Sequence, residues 1–241
     1  MTRLAKTTLV LLFALVLAAP ALAQRDRDDD RARGPRETET VDRTVPFPAN
    51  GTIRLKTFSG HVKITGTSGD QVVIHAVRRA TRERLDDIKL EITTNGSTVE
   101  IDANHRVVER RNDNVVDTEF DIQVPARARL DIKTFSAPVT VTGVNGSQNI
   151  DGFSSSVTIE SSDFGEGNNI DVNTFSGDVR LRLPASAKGN ISFNSFSGSF
   201  ESDLPVTLNS SSKRNFRGSL NGGGGGDFRL KTFSGDVTIR R

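Results

Sequence analysis

Few residue types in this chain of 241 could carry chemistry. His61, His75 and His105 could bind a transition metal or pass protons if two of them met at ligand spacing. No H-x-x-x-H or H-E-x-x-H pattern brings them together, and there is no cysteine to assist, so they are expected as surface residues. Asp131, Asp151 and Asp171 recur every 20 residues and could stack into a calcium-binding carboxylate column of the kind that serves cleavage of acidic polysaccharides. Their phase argues against it. Asp131 and Asp171 stand four positions before the next Phe-Ser pair and Asp151 two, so the three are not equivalent. The nonapeptide calcium pattern is missing as well. Serine is plentiful, yet there is no G-x-S-x-G elbow. Lys56, Lys133 and Lys231 share the position two before a phenylalanine, where an outward lysine discourages edge pairing. Residues 222–226 are five glycines without the Lys-Ser/Thr of a phosphate loop, and read as a flexible connector. No catalytic, cofactor-binding or metal-ligating residue is assigned, and no cofactor is expected.

The elements that carry these residues are set by a repeat. Phe-Ser-small occurs six times: Phe58-Ser59-Gly60, Phe135-Ser136-Ala137, Phe153-Ser154-Ser155, Phe175-Ser176-Gly177, Phe196-Ser197-Gly198 and Phe233-Ser234-Gly235. A serine needed six times by geometry is a turn residue, not a nucleophile. From Phe135 the spacings are 18, 22, 21 and 37, the last close to two units. The stretch around residues 206–220 has lost its Phe-Ser-Gly and reads as the degenerate unit in that gap. A period near 20 suits one coil of a β-solenoid better than a sandwich, whose turns come about every 8–12 residues.

Apolar residues lie five and three positions before Phe58, Phe135, Phe175, Phe196 and Phe233, and four and six after Phe58, Phe135, Phe153, Phe175 and Phe233, as in Leu130, Ile132, Val139 and Val141. Side chains alternate faces along a strand, so the inward parity slips at the Phe-Ser. Two geometries produce the slip. Ser-Gly can be a two-residue hairpin, giving an antiparallel meander. Alternatively the chain bends at a solenoid corner, with the phenylalanine turned inward onto its counterpart in the next coil. Coil-length recurrence favours the corner for residues 129–241, and Asn145, Asn149, Asn168, Asn169, Asn190, Asn209 and Asn215 fit at the bends. The last unit ends at Arg240-Arg241 and is expected to leave an open strand edge.

The remainder is less regular. Residues 1–23 carry Arg3 and Lys6, an apolar run over 9–19 and Ala21-Leu22-Ala23, the pattern of a secretory signal peptide cleaved before Gln24. Residues 24–40 hold five arginines and six acids and read as a disordered charged linker. Residues 41–128 form an irregular β-rich part. Within it 81–88 has helical character, Asn95-Gly96 marks a hairpin, and 106–114 is a charged loop. The formal charge of +2 is supplied by Arg3 and Lys6, so the mature chain is neutral and nucleic acid is not an expected partner. Beyond the signal no apolar stretch is long enough to span a membrane. Without cysteine the exported chain has neither disulfides nor a lipid-attachment site. Tyr and Trp are absent, so all 14 aromatic residues are Phe, which weakens a sugar-cleft reading.

The units LKTFSGHVKITG (55–66), IKTFSAPVTVTG (132–143), VNTFSGDVRLRL (172–183) and LKTFSGDVTIRR (230–241) carry a resemblance. Over roughly residues 41–241 the chain resembles the bacterial adhesin-like β-repeat family, the toast-rack domain, related to auto-transporter adhesin head domains. The resemblance implies a single-stranded right-handed parallel β-helix. It also implies export to the periplasm or cell surface, and an adhesin-like or envelope-stress role. It supplies no catalytic motif. The expected function is therefore a non-enzymatic exported β-solenoid that presents a surface to an envelope or extracellular protein or glycan. The alternative is a polysaccharide-acting β-helix enzyme.

Overall fold

The computed structural model describes residues 34–107, 115–163, 167–212 and 214–241. The signal peptide, the linker up to residue 33 and residues 108–114 of the charged loop lie outside the described residues. In chain order the elements are β1 (Arg36–Pro46), β2 (Thr52–Thr57), β3 (Ser59–Thr67), β4 (Gln71–Thr81), α1 (Arg82–Asp87), β5 (Ile88–Asn95), β6 (Thr98–Arg106), β7 (Asp117–Pro125), β8 (Arg129–Thr134) and β9 (Val139–Thr142). There follow β10 (Gln148–Gly152), β11 (Val157–Glu160), β12 (Asn169–Thr174), β13 (Val179–Arg182), β14 (Gly189–Ser195), β15 (Phe200–Ser202), β16 (Val206–Ser211), β17 (Asn215–Leu220), β18 (Gly226–Thr232) and β19 (Val237–Arg240).

The strands form two sheets, ordered β1-β4-β7-β3-β9-β11-β13-β19-β15 and β5-β6-β2-β8-β10-β12-β18-β14-β17-β16. Each Phe-Ser unit sends one strand into each sheet: β2 and β3, β8 and β9, β10 and β11, β12 and β13, β14 and β15, β18 and β19. Equivalent strands of successive coils pair in parallel, as in Leu130↔Gln148↔Ile170 and Val139↔Val157↔Val179. The fold is a parallel β-solenoid. Strands flanking a Phe-Ser lie in different sheets, so the bend is a corner and the meander alternative is excluded. The slipped parity aims both strands of a coil at one core. Ile53, Leu55, Val62 and Ile64 of the first coil, and Leu130, Ile132, Val139 and Val141 of the next, are buried between the sheets.

Four features depart from the expected succession of coils. The last coil in sequence is not last in space. Strand β18 lies between β12 and β14, and β19 between β13 and β15, so Arg240 does not end an open edge. The segment 206–220 is an antiparallel hairpin, β16-β17, on the flank of β14 rather than a degenerate coil. The chain returns from it through Asn221 and four consecutive glycines, 222–225, all at positive φ. That left-handed run is a shaped turn that only glycine makes cheaply. At the other end the hairpin β5-β6 turns at Asn95 with Gly96 at φ +58°, as the sequence suggests, and α1 occupies the helical stretch. Finally, β1 starts at Arg36, so residues 36–40 of the charged linker are strand, paired antiparallel with β4.

Arg78 explains why so polar a segment docks. Its guanidinium is 1% exposed and donates to the Glu39 carboxylate and the Ile88 carbonyl. Ile88 belongs to a small second core with Ala80, Leu85 and Val116.

Candidate functional site

Coils rise by one strand spacing, so whatever occupies a corner is repeated at that spacing. At the Phe-Ser corner the repeated group is a benzyl ring. The spatial order is Phe58, Phe135, Phe153, Phe175, Phe233, Phe196, with centroids 4.6–4.9 Å apart and ring planes within 10° of parallel. The corner is an unbroken extension of the sheet. Ser136, Ser154 and Ser176 donate their N–H groups to the carbonyls of Phe58, Phe135 and Phe153 at 2.7–2.8 Å. The rings stack as expected, but they do not turn inward. Phe135, Phe153, Phe175 and Phe233 are 43–46% exposed and Phe196 is 67% exposed. The reason is room. The two sheets meet at this corner. Except at Phe153, where Gly152 precedes the ring and the buried Ser155 lies against it, the space between them is taken by the residue before the ring.

That residue is Thr57, Thr134, Thr174, Thr232 or Ser195, and each is buried. The hydroxyl oxygens of Thr134, Thr232 and Ser195 accept from the N–H groups of Ala137, Gly235 and Gly198 at 2.7–3.0 Å, closing the bend from inside. Sequence reasoning passed over this position, although Thr-Phe-Ser recurs in four units. The small residue after serine is set by close approach. A Cβ at Gly235 would lie 2.0 Å from the Gly177 carbonyl oxygen, and one at Gly198 would lie 1.9 Å from that of Gly235. Ser59, Ser136, Ser154, Ser176, Ser197 and Ser234 sit beside the rings, and the hydroxyls of Ser136 and Ser197 donate back to the corner carbonyls of Phe58 and Phe233. None faces a histidine base.

The other candidates do not converge. His75 and His105 are exposed and pair with Asp42 and Glu91, on β1 and β5 respectively, and His61 is exposed on β3. Asp131 and Asp171 share one outward column, separated by Asn149, while Asp151 stands in the next column beside Lys133. In the first column Arg54 lies 3.8 Å from Asp131 and Arg229 lies 3.8 Å from Asp171, so guanidinium groups bracket the acids. Among the described residues no three His, Asp or Glu side chains gather as a metal site. The second column runs Lys56, Lys133, Asp151, Asn173, Lys231, Asn194 and flanks the ring ladder. Some expected bend asparagines do bridge coils: Asn168 donates to the Asn145 carbonyl at 2.7 Å. On the ladder's other flank Asp236 accepts from the N–H and hydroxyl of Ser199, both at 2.8 Å. Those bonds hold its carboxyl below the usual carboxylate range. A cleft of about 670 Å³ with a mixed lining opens between β15 and the β16-β17 hairpin, where Phe200, Leu204, Leu208 and Phe216 stand beside Ser199, Arg214 and Asp236.

The family model described as Toastrack DUF4097 matches residues 48–240. Among solved structures, a proposed cell adhesion protein from Clostridium sporogenes ATCC 15579 superposes with TM-score 0.66 at 12% identity, over 85% of this chain and 99% of that one. A proposed adhesin from Bacteroides fragilis NCTC 9343 aligns over 83% of this chain and 97% of that one, at 10% identity and TM-score 0.25. No curated protein matches the chain.

Proposed function

From the premise that the chain belongs to the Toastrack DUF4097 family, we propose that it is an exported, non-enzymatic β-solenoid that presents a binding surface in the cell envelope, as an adhesin-like module or an assembly scaffold. One observation carries this reading. The charged groups of the outer faces pair with neighbours on adjacent strands instead of converging on a cleft: Arg54 with Glu100, Lys63 with Asp121, Arg182 with Glu160, Arg240 with Glu201. Among the described residues such pairs tile a long surface with mixed charge. A regular polar surface suits weak, repeated contacts with a protein or glycan. The Clostridium neighbour, described for cell adhesion, shares the fold and is consistent with that use. Residues 1–23 act as a secretory signal, so the exported product begins at Gln24, and 24–33 is a charged spacer.

Affinity capture from an envelope extract, with bound proteins and glycans both identified, tests the reading. Specific retention of a glycan supports adhesion, and a co-purifying membrane protein supports the scaffold. Turnover of a retained glycan would overturn the non-enzymatic assignment. Intact mass of the exported protein tests the signal, since a species that keeps residues 1–23 is an anchored protein.

A further inference from the structure

The ring ladder is an apolar stripe on an otherwise polar solenoid, and its geometry restricts what can cover it. Stacking at 4.6–4.9 Å hides the ring faces from all but the two end positions, Phe58 and Phe196. A sugar that binds by lying on ring faces has almost none to use. What is offered is a line of ring edges repeating at the strand spacing of a sheet. A partner matches it over six units only if its own apolar groups repeat at that spacing, which a second β-solenoid edge does. We propose that two copies of this chain pair through their phenylalanine ladders, side by side and parallel, about a two-fold axis along the solenoid.

Area supports pairing. At 43–67% exposure, and about 200 Å² of surface per aromatic side chain, the five most open rings present roughly 500 Å² per copy. Pairing then buries about 1,000 Å² before the serine and lysine rims are added, the level a biological interface must reach. Charge selects the direction. A two-fold along the solenoid sets the flank before the rings, with Lys56, Lys133, Asp151 and Lys231, against the partner's flank after them, with His61, Asp178 beside Arg180, and Asp236. Lys231 and Asp236 lie on one coil, and Asp178 is on the coil next to it. Each Lys231 therefore meets a pair of acids, twice per dimer. The antiparallel alternative sets like flanks together and brings Lys133 onto Lys231, which is repulsive. Closed two-fold pairing also consumes the apolar stripe without leaving a free copy of it.

The inference stands apart from the partner-binding reading, because it leaves both sheet faces open, and it can fail while that reading holds. Sedimentation velocity of the exported protein from about 1 to 100 µM is the test, with circular dichroism of every variant. A dimer is expected in the wild type. Phe153→Ser with Phe175→Ser should raise the dimer dissociation constant at least 100-fold. Lys231→Glu, which leaves the rings untouched, should raise it about tenfold. A wild type that stays monomeric at 100 µM overturns the proposal, as does a dimer indifferent to the ring substitutions. A dimer tightened by Lys231→Glu overturns the parallel arrangement, since that change favours Lys133 as the opposite group. Monomeric protein that floats with phosphatidylglycerol vesicles through its rings would make a lipid surface the occupant and sink the inference.

Discussion

Phe175 is about half covered, with Phe153 and Phe233 stacked on its two faces at 4.9 and 4.7 Å. A fully buried phenylalanine cut to alanine costs about 3–5 kcal/mol, and an exposed one less than about 0.5 kcal/mol. A half-covered ring with two stacked neighbours belongs between them, so Phe175→Ala should destabilise by about 1–2.5 kcal/mol in urea denaturation. A value near either extreme would contradict the exposed stack. Arg78 is the opposite case, a buried charged side chain on β4 bonded to Glu39 and the Ile88 carbonyl. Truncation to alanine leaves a cavity and strands the Ile88 carbonyl, at a cost of about 2–4 kcal/mol. Arg78→Met restores most of the volume and should cost less than alanine. If methionine costs as much as alanine, the guanidinium's bonds outweigh its packing. The place of the rings at the bends was legible in the sequence, but their outward direction was not. The alternation defines two faces, and the phenylalanine sits where the phase slips and neither face applies.

The coil was legible because its signal is periodic. Inward pairs such as Ile170-Val172 and Val179-Leu181, the corner between them and the 20-residue rise all follow from alternation and spacing. The corner's inner lock was not, because a buried threonine looks like any strand threonine until its hydroxyl is seen to accept from the residue three places on. Corners also explain the glycines. Gly235→Ala would drive a Cβ to 2.0 Å from a backbone oxygen of the neighbouring coil, which cannot retreat as a side chain would. Its thermal midpoint should fall by more than that of Phe175→Ala, and an equal or smaller fall would mean the coils can part. Among the bonds between the last two coils in space is that of Asp236 with Ser199. The folded carboxyl titrates below its ordinary range. Its stabilisation is therefore complete at neutral pH and is lost as pH falls from the ordinary carboxylate range through the lower folded value. Asp236→Asn should flatten that acid limb for the β14-β15 coil, read by hydrogen exchange at residues 189–202. An unchanged acid limb would assign the loss of stability to other carboxylates.

At the scale of the whole molecule, repetition misled in one respect. Equal units suggest that order along the chain is order in space, and nothing local marks β18-β19 as the coil that inserts between two earlier ones. The clue is the detour itself. The 37-residue interval before Phe233 holds a hairpin that ends one sheet, and then a left-handed glycine turn that brings the chain back. Two consequences distinguish insertion from simple stacking. The terminal strands are structural rather than peripheral, since β18 bonds to β12 on one side and β14 on the other, and β19 to β13 and β15. They also come after both neighbours of the slot in the chain, so their pairing with β12 and β13 is non-local. Removing residues 227–241 should therefore do more than shorten the solenoid by one coil. Strands β14 and β15 lose their connection to the preceding coils, and the β16-β17 hairpin keeps only an unsupported neighbour. Hydrogen exchange on the truncated protein should show protection kept over 52–182 and lost over 189–220. Protection that survives over 189–220 would mean that β14 can dock directly on β12, and that the inserted coil is dispensable.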